Sequence, residues 1–155
     1  MESLENKTLE AMKVVCLRHT GAHADIGKVY RELHAWLREK GVKPAGSGMT
    51  VFLTPPSEYD AASAIFEVCV PIDADLAGDG KVSVKELPAC TVACATVTGP
   101  YHEISAHYSE MLAWLSAQGM EVAGPPREVY IKHPDAQGGG DATEFVTEIQ
   151  FPIEP

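Results

Sequence analysis

The sequence predicts an α+β domain built from two similar units, each with the order strand, helix, strand, strand. Three observations lead to this fold class. The chain repeats itself, each copy contains one segment with the periodicity of an amphipathic helix, and the other segments are short, rich in Val, Ile and Thr, and bounded by Gly, Pro or Asp. The length of 155 residues predicts one domain over 1–155, since a domain usually holds roughly 100–200 residues.

The repeat is visible when residues 7–56 are placed over 85–134, a constant offset of 78. Identical residues then recur in register along the whole stretch. They include Gly21/Gly99, Ile26/Ile104, Tyr30/Tyr108, Trp36/Trp114, Gly41/Gly119 and Gly46/Gly124. One register kept over so many residues indicates a duplicated unit.

The second copy holds three extra residues, after which the offset is 81 and 66–73 matches 147–154. The predicted repeats are therefore about 7–73 and 82–154. The polar segment 73–83 is predicted to connect them.

One helix is predicted in each copy, near 25–40 and 103–118. The apolar residues recur at helical spacing: Ile26, Val29, Tyr30, Leu33 and Leu37 in the first copy, and Ile104, Tyr108, Met111, Leu112 and Leu115 in the second. Gly41 and Gly119 stand where a glycine commonly ends a helix. Tyr30 and Tyr108 are expected in the core, with each hydroxyl reaching a partner.

Strands are predicted on both sides of each helix. The β-branched segments are Met12–Arg18, 50–54 and 64–70 in the first copy, and Cys90–Thr98, 128–132 and 143–151 in the second.

The composition limits the classes of partner that the sequence predicts. Acidic residues outnumber basic ones by 22 to 12, giving a formal net charge of −10 at pH 7. This sign disfavours phosphate backbones and anionic lipid, so neither nucleic acid nor a membrane is predicted as a partner. The start lacks the features of a signal peptide, and no apolar run reaches about 18 residues, so a cytoplasmic location is expected. Because the acids are dispersed, binding to another protein ranks last and no partner protein is predicted.

The four cysteines are predicted to be free, buried thiols. Cys90 and Cys94 form a C-x3-C pair, but without a second pair nearby this is a weak metal signal. Neither a metal site nor a cofactor is predicted.

Strand alternation predicts a candidate site in the second copy. If the helices cover the face that carries Val129 and Ile131, then Tyr130 and Glu148 project together from the other face. A solvated outer face is the alternative that this pattern leaves open.

The first copy follows the same logic. Val51 and Leu53 are expected inward and Phe52 outward, with Glu67 and Cys69 also on the outward face.

Four segments resemble one family. Residues 19–23 (HTGAH) and 97–101 (VTGPY) are similar to its signature before each helix. Residues 129–134 (VYIKHP) and 147–153 (TEIQFPI) are similar to its closing strands. On these motifs and the duplication, the chain resembles the GyrI-like small-molecule-binding domains, which also serve as effector-binding domains of multidrug-sensing transcription regulators.

The resemblance implies a continuous antiparallel sheet with helices on one face, two units in pseudo-twofold arrangement, and a ligand cleft between them. The family binds bulky, lipophilic, often aromatic and cationic compounds, and its characteristic acidic residue lies at the position of Glu148. Residues 1–6 are too few for a helix-turn-helix domain, so the chain resembles the stand-alone members.

Two functions follow as expectations. The first is a binding protein for lipophilic, cationic aromatic molecules, in which a carboxylate and aromatic faces offset the desolvation of the cation. The predicted ligand-binding residues are Glu148, Tyr130, Tyr101, Phe52, Trp114 and Glu67.

The alternative is an enzyme, since some stand-alone relatives are described as hydrolases of cyclopropane-bearing genotoxic compounds. A carboxylic acid in an apolar cleft has a raised pKa and can act as a general acid near neutrality. Glu148 and the Tyr130 hydroxyl would then be the catalytic groups. Binding without turnover is the favoured expectation.

Overall fold

The structure is a computed structural model that describes residues 2–22, 25–54, 64–100, 104, 106–132 and 145–154. Eight antiparallel strands and two α-helices lie within these residues, so the predicted α+β class is confirmed. The elements are β1 (Glu2–Leu9), β2 (Met12–Gly21), α1 (Ile26–Lys40), β3 (Met49–Phe52), β4 (Ala64–Pro71), β5 (Val82–Leu87), β6 (Cys90–Thr98), α2 (Tyr108–Ala117), β7 (Arg127–Lys132) and β8 (Val146–Ile153).

The chain divides into two compact units. Unit 1 combines Met1–Leu9 with Cys90–Pro155, and unit 2 is Glu10–Ala89. Each unit contains four strands and one helix among the described residues.

In unit 2 the strands lie in the order β3-β4-β2-β5, and α1 packs on one face. The predicted helical stripe is confirmed, because Val29, Leu33 and Leu37 are buried against the sheet residues Val15, Leu17, Phe52, Phe66, Val68 and Val70. The helix ends at Lys40 and is capped by Gly41, whose φ of 69° is the left-handed conformation that glycine adopts without strain.

In unit 1 the order is β1-β6-β8-β7, with α2 on one face. The core joins Ile104, Tyr108, Met111 and Leu115 to Ala93, Ala95, Val97, Ile149, Phe151 and Ile153. Leu112 was expected in this stripe but is exposed. The helix begins at Tyr108, later than the predicted start near residue 103.

Two strands were not predicted. β1 begins before the first predicted copy and pairs with β6. β5 overlaps the predicted connection 73–83 and pairs with β2. Their registers correspond, since Lys7 faces Val92 in unit 1 and Lys85 faces Val14 in unit 2. The two lysines are separated by the offset of 78 found in the sequence, and so are the two valines that they face.

Neither helix, nor any other helical stretch of the described chain, has both the length and the apolar character needed to span a bilayer.

Candidate functional site

Each unit has a sheet face that points away from its helix, which we call the far face. In unit 1, Ile149 packs in the α2 core, so the neighbouring residues Glu148 and Gln150 lie on the far face. Residues directly opposite each other in an antiparallel ladder share a face. Cys94 faces Gln150 and Val129 faces Glu148, so both belong to the far face of unit 1.

In unit 2 the alternation along β4 puts Phe66 and Val68 in the α1 core and Glu67 and Cys69 on the far face. This part of the strand prediction is confirmed. Cys16 faces Cys69 across β2 and therefore shares that face.

Glu148 is held by three neighbours on the far face of unit 1. The Lys7 Nζ lies 2.5 Å from Oε1, and the Gln150 amide donates to Oε2 over 3.4 Å. The third neighbour is the Cys94 thiol, which forms a hydrogen bond with the carboxylate. The Glu148 side chain is only 12% exposed, whereas that of Lys7 is 38% exposed.

These contacts raise the pKa of both neighbours. The hydrogen bond to Glu148 raises the pKa of Lys7, with burial acting in the opposite direction. Burial, reinforced by the hydrogen bond with Glu148, raises the pKa of Cys94 to about 12. At neutral pH, Lys7 is therefore a cation and Cys94 a neutral thiol.

Glu67 has a richer set of cations on the far face of unit 2. Arg18 Nη2 lies 3.2 Å from its Oε2, and Lys85 forms an ion pair with its Oε1. Although burial acts to lower the pKa of Lys85, the hydrogen bond and charge of Glu67 raise it overall. Glu67 thus has two cationic partners where Glu148 has one among the described residues.

The structure separates the predicted aromatic residues from these carboxylates. Tyr130 faces Thr147 on β8, which lies one residue from Glu148 and so on the α2 side of the sheet. Phe52 faces Phe66 and packs in the α1 core. The prediction that Tyr130 shares a face with Glu148, and Phe52 with Glu67, is wrong.

The error is a shift of one residue in β3 and in β7. The valines of these strands, Val51 and Val129, stand opposite the two glutamates. Leu53 and Ile131 were expected inward but are 37% and 52% exposed. Both β-branched and aromatic side chains suit a strand, so apolar character alone did not distinguish the two faces.

This geometry bears on the hydrolase alternative. Glu148 and Tyr130 project from opposite faces of the sheet, so they do not meet one molecule bound on the far face. Trp114 is half-buried and packs against the α2 core. Tyr101 lies outside the described residues.

One acidic group was missed by the sequence analysis. The Tyr108 hydroxyl donates to Glu128 Oε2 over 2.6 Å, on the helix side of β7. Burial raises the pKa of Glu128 to about 7, although the hydrogen bond from Tyr108 works against that increase. The expectation that the Tyr108 hydroxyl needs a partner was the available signal, but it did not identify which residue.

A shallow groove of about 540 Å³ also lies in unit 1. Its lining includes Thr91 and Ile153, which pair with each other near one end of β6 and β8. Glu148 faces Thr96, five residues along β6 from Thr91. Ile153 packs in the α2 core and Thr91 shares its face, whereas Glu148 lies on the far face, so the groove is not part of the candidate site.

Solved structures give the following comparisons. The EcmrR C-terminal domain matches with a TM-score of 0.85 and 22% identity, over 98% of this chain and 97% of that one. The EcmrR chain in an EcmrR–DNA complex matches with a TM-score of 0.87 and 22% identity over 98% of this chain, which spans 57% of the EcmrR chain. These likenesses show the fold.

More distant structures also match. SAV2435 bound to tetraphenylphosphonium has a TM-score of 0.63 and 15% identity, over 99% of this chain and 94% of that one. A hydrolase from Listeria innocua has a TM-score of 0.64 and 11% identity, over 97% and 91%. No curated protein matches.

The family comparison covers almost the whole chain. The model of the GyrI-like small molecule binding domain matches residues 4–154, which include every strand and helix described above apart from the first residues of β1. The resemblance seen in the sequence motifs is thereby confirmed, and the chain belongs to the family of GyrI-like small-molecule-binding domains.

Proposed function

We propose that this domain binds lipophilic, cationic aromatic small molecules on the far face of unit 1, and that Glu148 provides the counter-charge. The observation that carries the proposal is the state of Glu148, a largely buried carboxylate that has one cationic partner, Lys7, among the residues that the structure describes. A buried carboxylate requires a countercharge, and a ligand cation can replace the lysine in that role.

The lysine is suited to being displaced. Its side chain is 38% exposed and ends a flexible stem, so Nζ can return to water when a ligand arrives. A delocalised organic cation has the advantage in this exchange, because taking an ammonium out of water is costly. In the absence of a ligand, the Lys7 ammonium thus takes the position beside Glu148 that a ligand cation would take.

The surroundings of Glu148 provide apolar surface. Val129 and Val92 belong to the far face and are buried, and Cys94 is a neutral thiol there. Contacts of this kind need no fixed hydrogen-bond geometry, which favours broad specificity for lipophilic ligands.

Glu67 is the weaker candidate. A ligand would have to displace both Arg18 and Lys85 to reach its carboxylate. We infer that the two glutamates descend from one duplicated unit and that ligand binding is concentrated at Glu148. The corresponding positions of Lys7 and Lys85, and of Cys94 and Cys16, support the duplication.

Isothermal titration calorimetry with tetraphenylphosphonium tests the proposal, with tetraphenylborate as a control of the same shape and opposite charge. We expect the wild type to bind the phosphonium and not the borate. Glu148→Gln, which keeps the shape and removes the charge, should weaken phosphonium binding by about 1–3 kcal/mol, the usual scale for a lost charged contact.

Two lysine variants provide a matched comparison. Lys7→Met removes the internal competitor and should strengthen phosphonium binding, whereas Lys85→Met leaves Arg18 on Glu67 and should change it little. Equal effects of Glu148→Gln and Glu67→Gln, or binding that is indifferent to both, would refute the assignment to Glu148.

The hydrolase alternative is tested in the same samples. Chromatography of a cyclopropane-bearing genotoxic compound after incubation with the protein should recover it unchanged. Turnover that disappears in Glu148→Gln would replace the binding function with hydrolysis.

A further inference from the structure

Unit 2 contains a cluster of sulfur atoms that the proposed ligand site does not use. Cys16 and Cys69 face each other across β2 and β4, and their Sγ atoms are 2.9 Å apart. Met49 faces Cys69 from β3, so its thioether belongs to the same face. All three residues are buried, at 1%, 0% and 3% exposure. We call Cys16, Cys69 and Met49 the sulfur row.

We propose that the sulfur row binds one thiophilic monovalent metal ion, of which Cu(I) is the biological example, through the two cysteine sulfurs with Met49 as a weaker third ligand. Thiolates and thioethers are soft ligands, and this combination selects Cu(I) over hard cations.

The surroundings of the sulfur row argue against a zinc site that includes Glu67. The three groups Cys16, Cys69 and Glu67 lie close enough to hold one ion, since their ligand atoms are within 4.8 Å of one another. However, Glu67 Oε2 is already paired with Arg18 and Oε1 with Lys85. Both oxygens of the carboxylate are therefore paired with cations, so the sulfur atoms are the groups available to bind a metal ion.

The local charge also favours a monovalent ion. Arg18, Lys85 and Glu67 together carry one net positive charge beside the thiols. A Cu(I) ion with two thiolates carries one net negative charge, which this surplus neutralises. A divalent ion with two thiolates is neutral and gains no such attraction from the neighbouring cations, whereas the buried anionic Cu(I) centre is stabilised by pairing with them.

Binding involves no change of oxidation state. The S–H bonds of Cys16 and Cys69 break, two protons pass to water, and two Cu–S bonds form while copper stays Cu(I). The sulfurs must separate as the ion enters. Rotation of the two side chains allows this, because cross-strand Cβ atoms are about 4.5–5.5 Å apart.

Unit 1 provides an internal control. By the repeat offsets, Cys94 corresponds to Cys16 and Gln150 to Cys69, so the equivalent cross-strand pair has one sulfur instead of two. Cys90 is on the same strand as Cys94, but residues four apart on a strand are about 13 Å from each other. The C-x3-C pair that the sequence displays is therefore not the pair that the fold brings together.

The experiment is an anaerobic titration of the reduced full chain with Cu(I) buffered by bathocuproine disulfonate, followed by the chelator absorbance. We expect one equivalent of copper per chain to leave the chelator, with two protons released in a weakly buffered sample. Cys16→Ala and Cys69→Ala should each abolish this transfer, whereas Cys94→Ala should leave it intact. Circular dichroism checks that each variant is folded.

Two further variants test the geometry without removing a thiol. Met49→Leu should weaken Cu(I) binding by about tenfold if the thioether is a ligand, and Lys85→Gln by about tenfold through loss of the compensating charge. No transfer of copper to the wild type, transfer that survives Cys16→Ala, or equal losses in Cys16→Ala and Cys94→Ala would overturn the proposal. So would a wild-type mass lower by two hydrogens after the titration, since the pair would then have closed to a disulfide.

Discussion

Glu128 and Tyr108 link strand β7 to helix α2 through a hydrogen bond of 2.6 Å between a phenol and a carboxylate. Because the fold raises the pKa of Glu128 to about 7, the folded state keeps this proton at pH values where the unfolded chain has lost it. The associated stability is present in full below the unfolded pKa of about 4.5 and is lost as the pH rises through about 7.

We therefore expect the free energy of unfolding to fall by on the order of 2–3 kcal/mol between pH 4.5 and pH 8 from this group. Urea unfolding at several pH values measures it. Glu128→Gln should remove that part of the pH dependence and be more stable than the wild type at pH 8. Tyr108→Phe should enlarge the dependence, because the hydroxyl stabilises the ionised carboxylate. Identical pH profiles for wild type and Glu128→Gln would contradict the assignment.

At the same scale, the sequence predicted Glu148 and Glu67 as far-face residues but not the lysines beside them. Alternation along β8 and β4 was sufficient for the glutamates, since Ile149 and Phe66 identify the helix side. Lys7 and Lys85 are 141 and 18 residues from their partners in the chain (148 − 7 and 85 − 67), so nothing local indicated those pairs. The prediction for Tyr130 and Phe52 was wrong because β3 and β7 contain consecutive apolar residues. Either alternating set of these residues could have faced the helix.

Tyr30 of helix α1 lies very close to Gly48, the residue just before strand β3. A Cβ at this position would lie 1.8 Å from the Tyr30 hydroxyl and within 2.6 Å of two ring carbons. Gly48→Ala should therefore displace the tyrosine and lower the free energy of unfolding by about 1–3 kcal/mol, the usual cost of overpacking. Thermal or urea unfolding measures the change.

Gly46→Ala is the matched control for this pair of elements. A Cβ there meets only Pro71, at 3.7 Å, which is ordinary contact, so little change is expected. Tyr30→Phe in the Gly48→Ala background should recover part of the loss by removing the closest atom. A Gly48→Ala variant as stable as Gly46→Ala would show that α1 and β3 are not in this contact.

Among the elements, the sequence predicted both helices and six strands, while β1 and β5 were missed. The alternation of Val82, Ser83, Val84 and Lys85 is typical of a strand, and Val82 and Val84 do contact the α1 core. The Gly and Asp residues just before Val82 are typical of a turn, so the start of β5 was predicted to belong to the connection between the copies. β1 is harder to predict, because Asn6, Lys7 and Thr8 follow each other and the strand has no apolar alternation.

The whole molecule carries a formal charge of −10, which attracts cations to its surface over distances set by the salt concentration. The affinity for tetraphenylphosphonium should therefore fall severalfold between about 20 mM and 500 mM sodium chloride, as the Debye length shrinks from roughly 20 Å to a few ångströms. Calorimetry at the two concentrations measures this change. Affinity that is independent of salt in both wild type and Glu148→Gln would mean that charge has no part in recognition.

The pairing of β1 with β6 has a consequence for synthesis on the ribosome. Unit 2 is one continuous segment, Glu10–Ala89, whose strands are all available once that segment has emerged. β1 is synthesised before unit 2 but pairs with β6. Lys7 can therefore pair with Val92 only after 85 more residues (92 − 7) have been synthesised. At roughly 5–20 residues per second this delay is on the order of ten seconds. During this delay β1 lacks its native partner β6, and the charges of Glu5 and Lys7 help to protect β1 from pairing with other nascent chains.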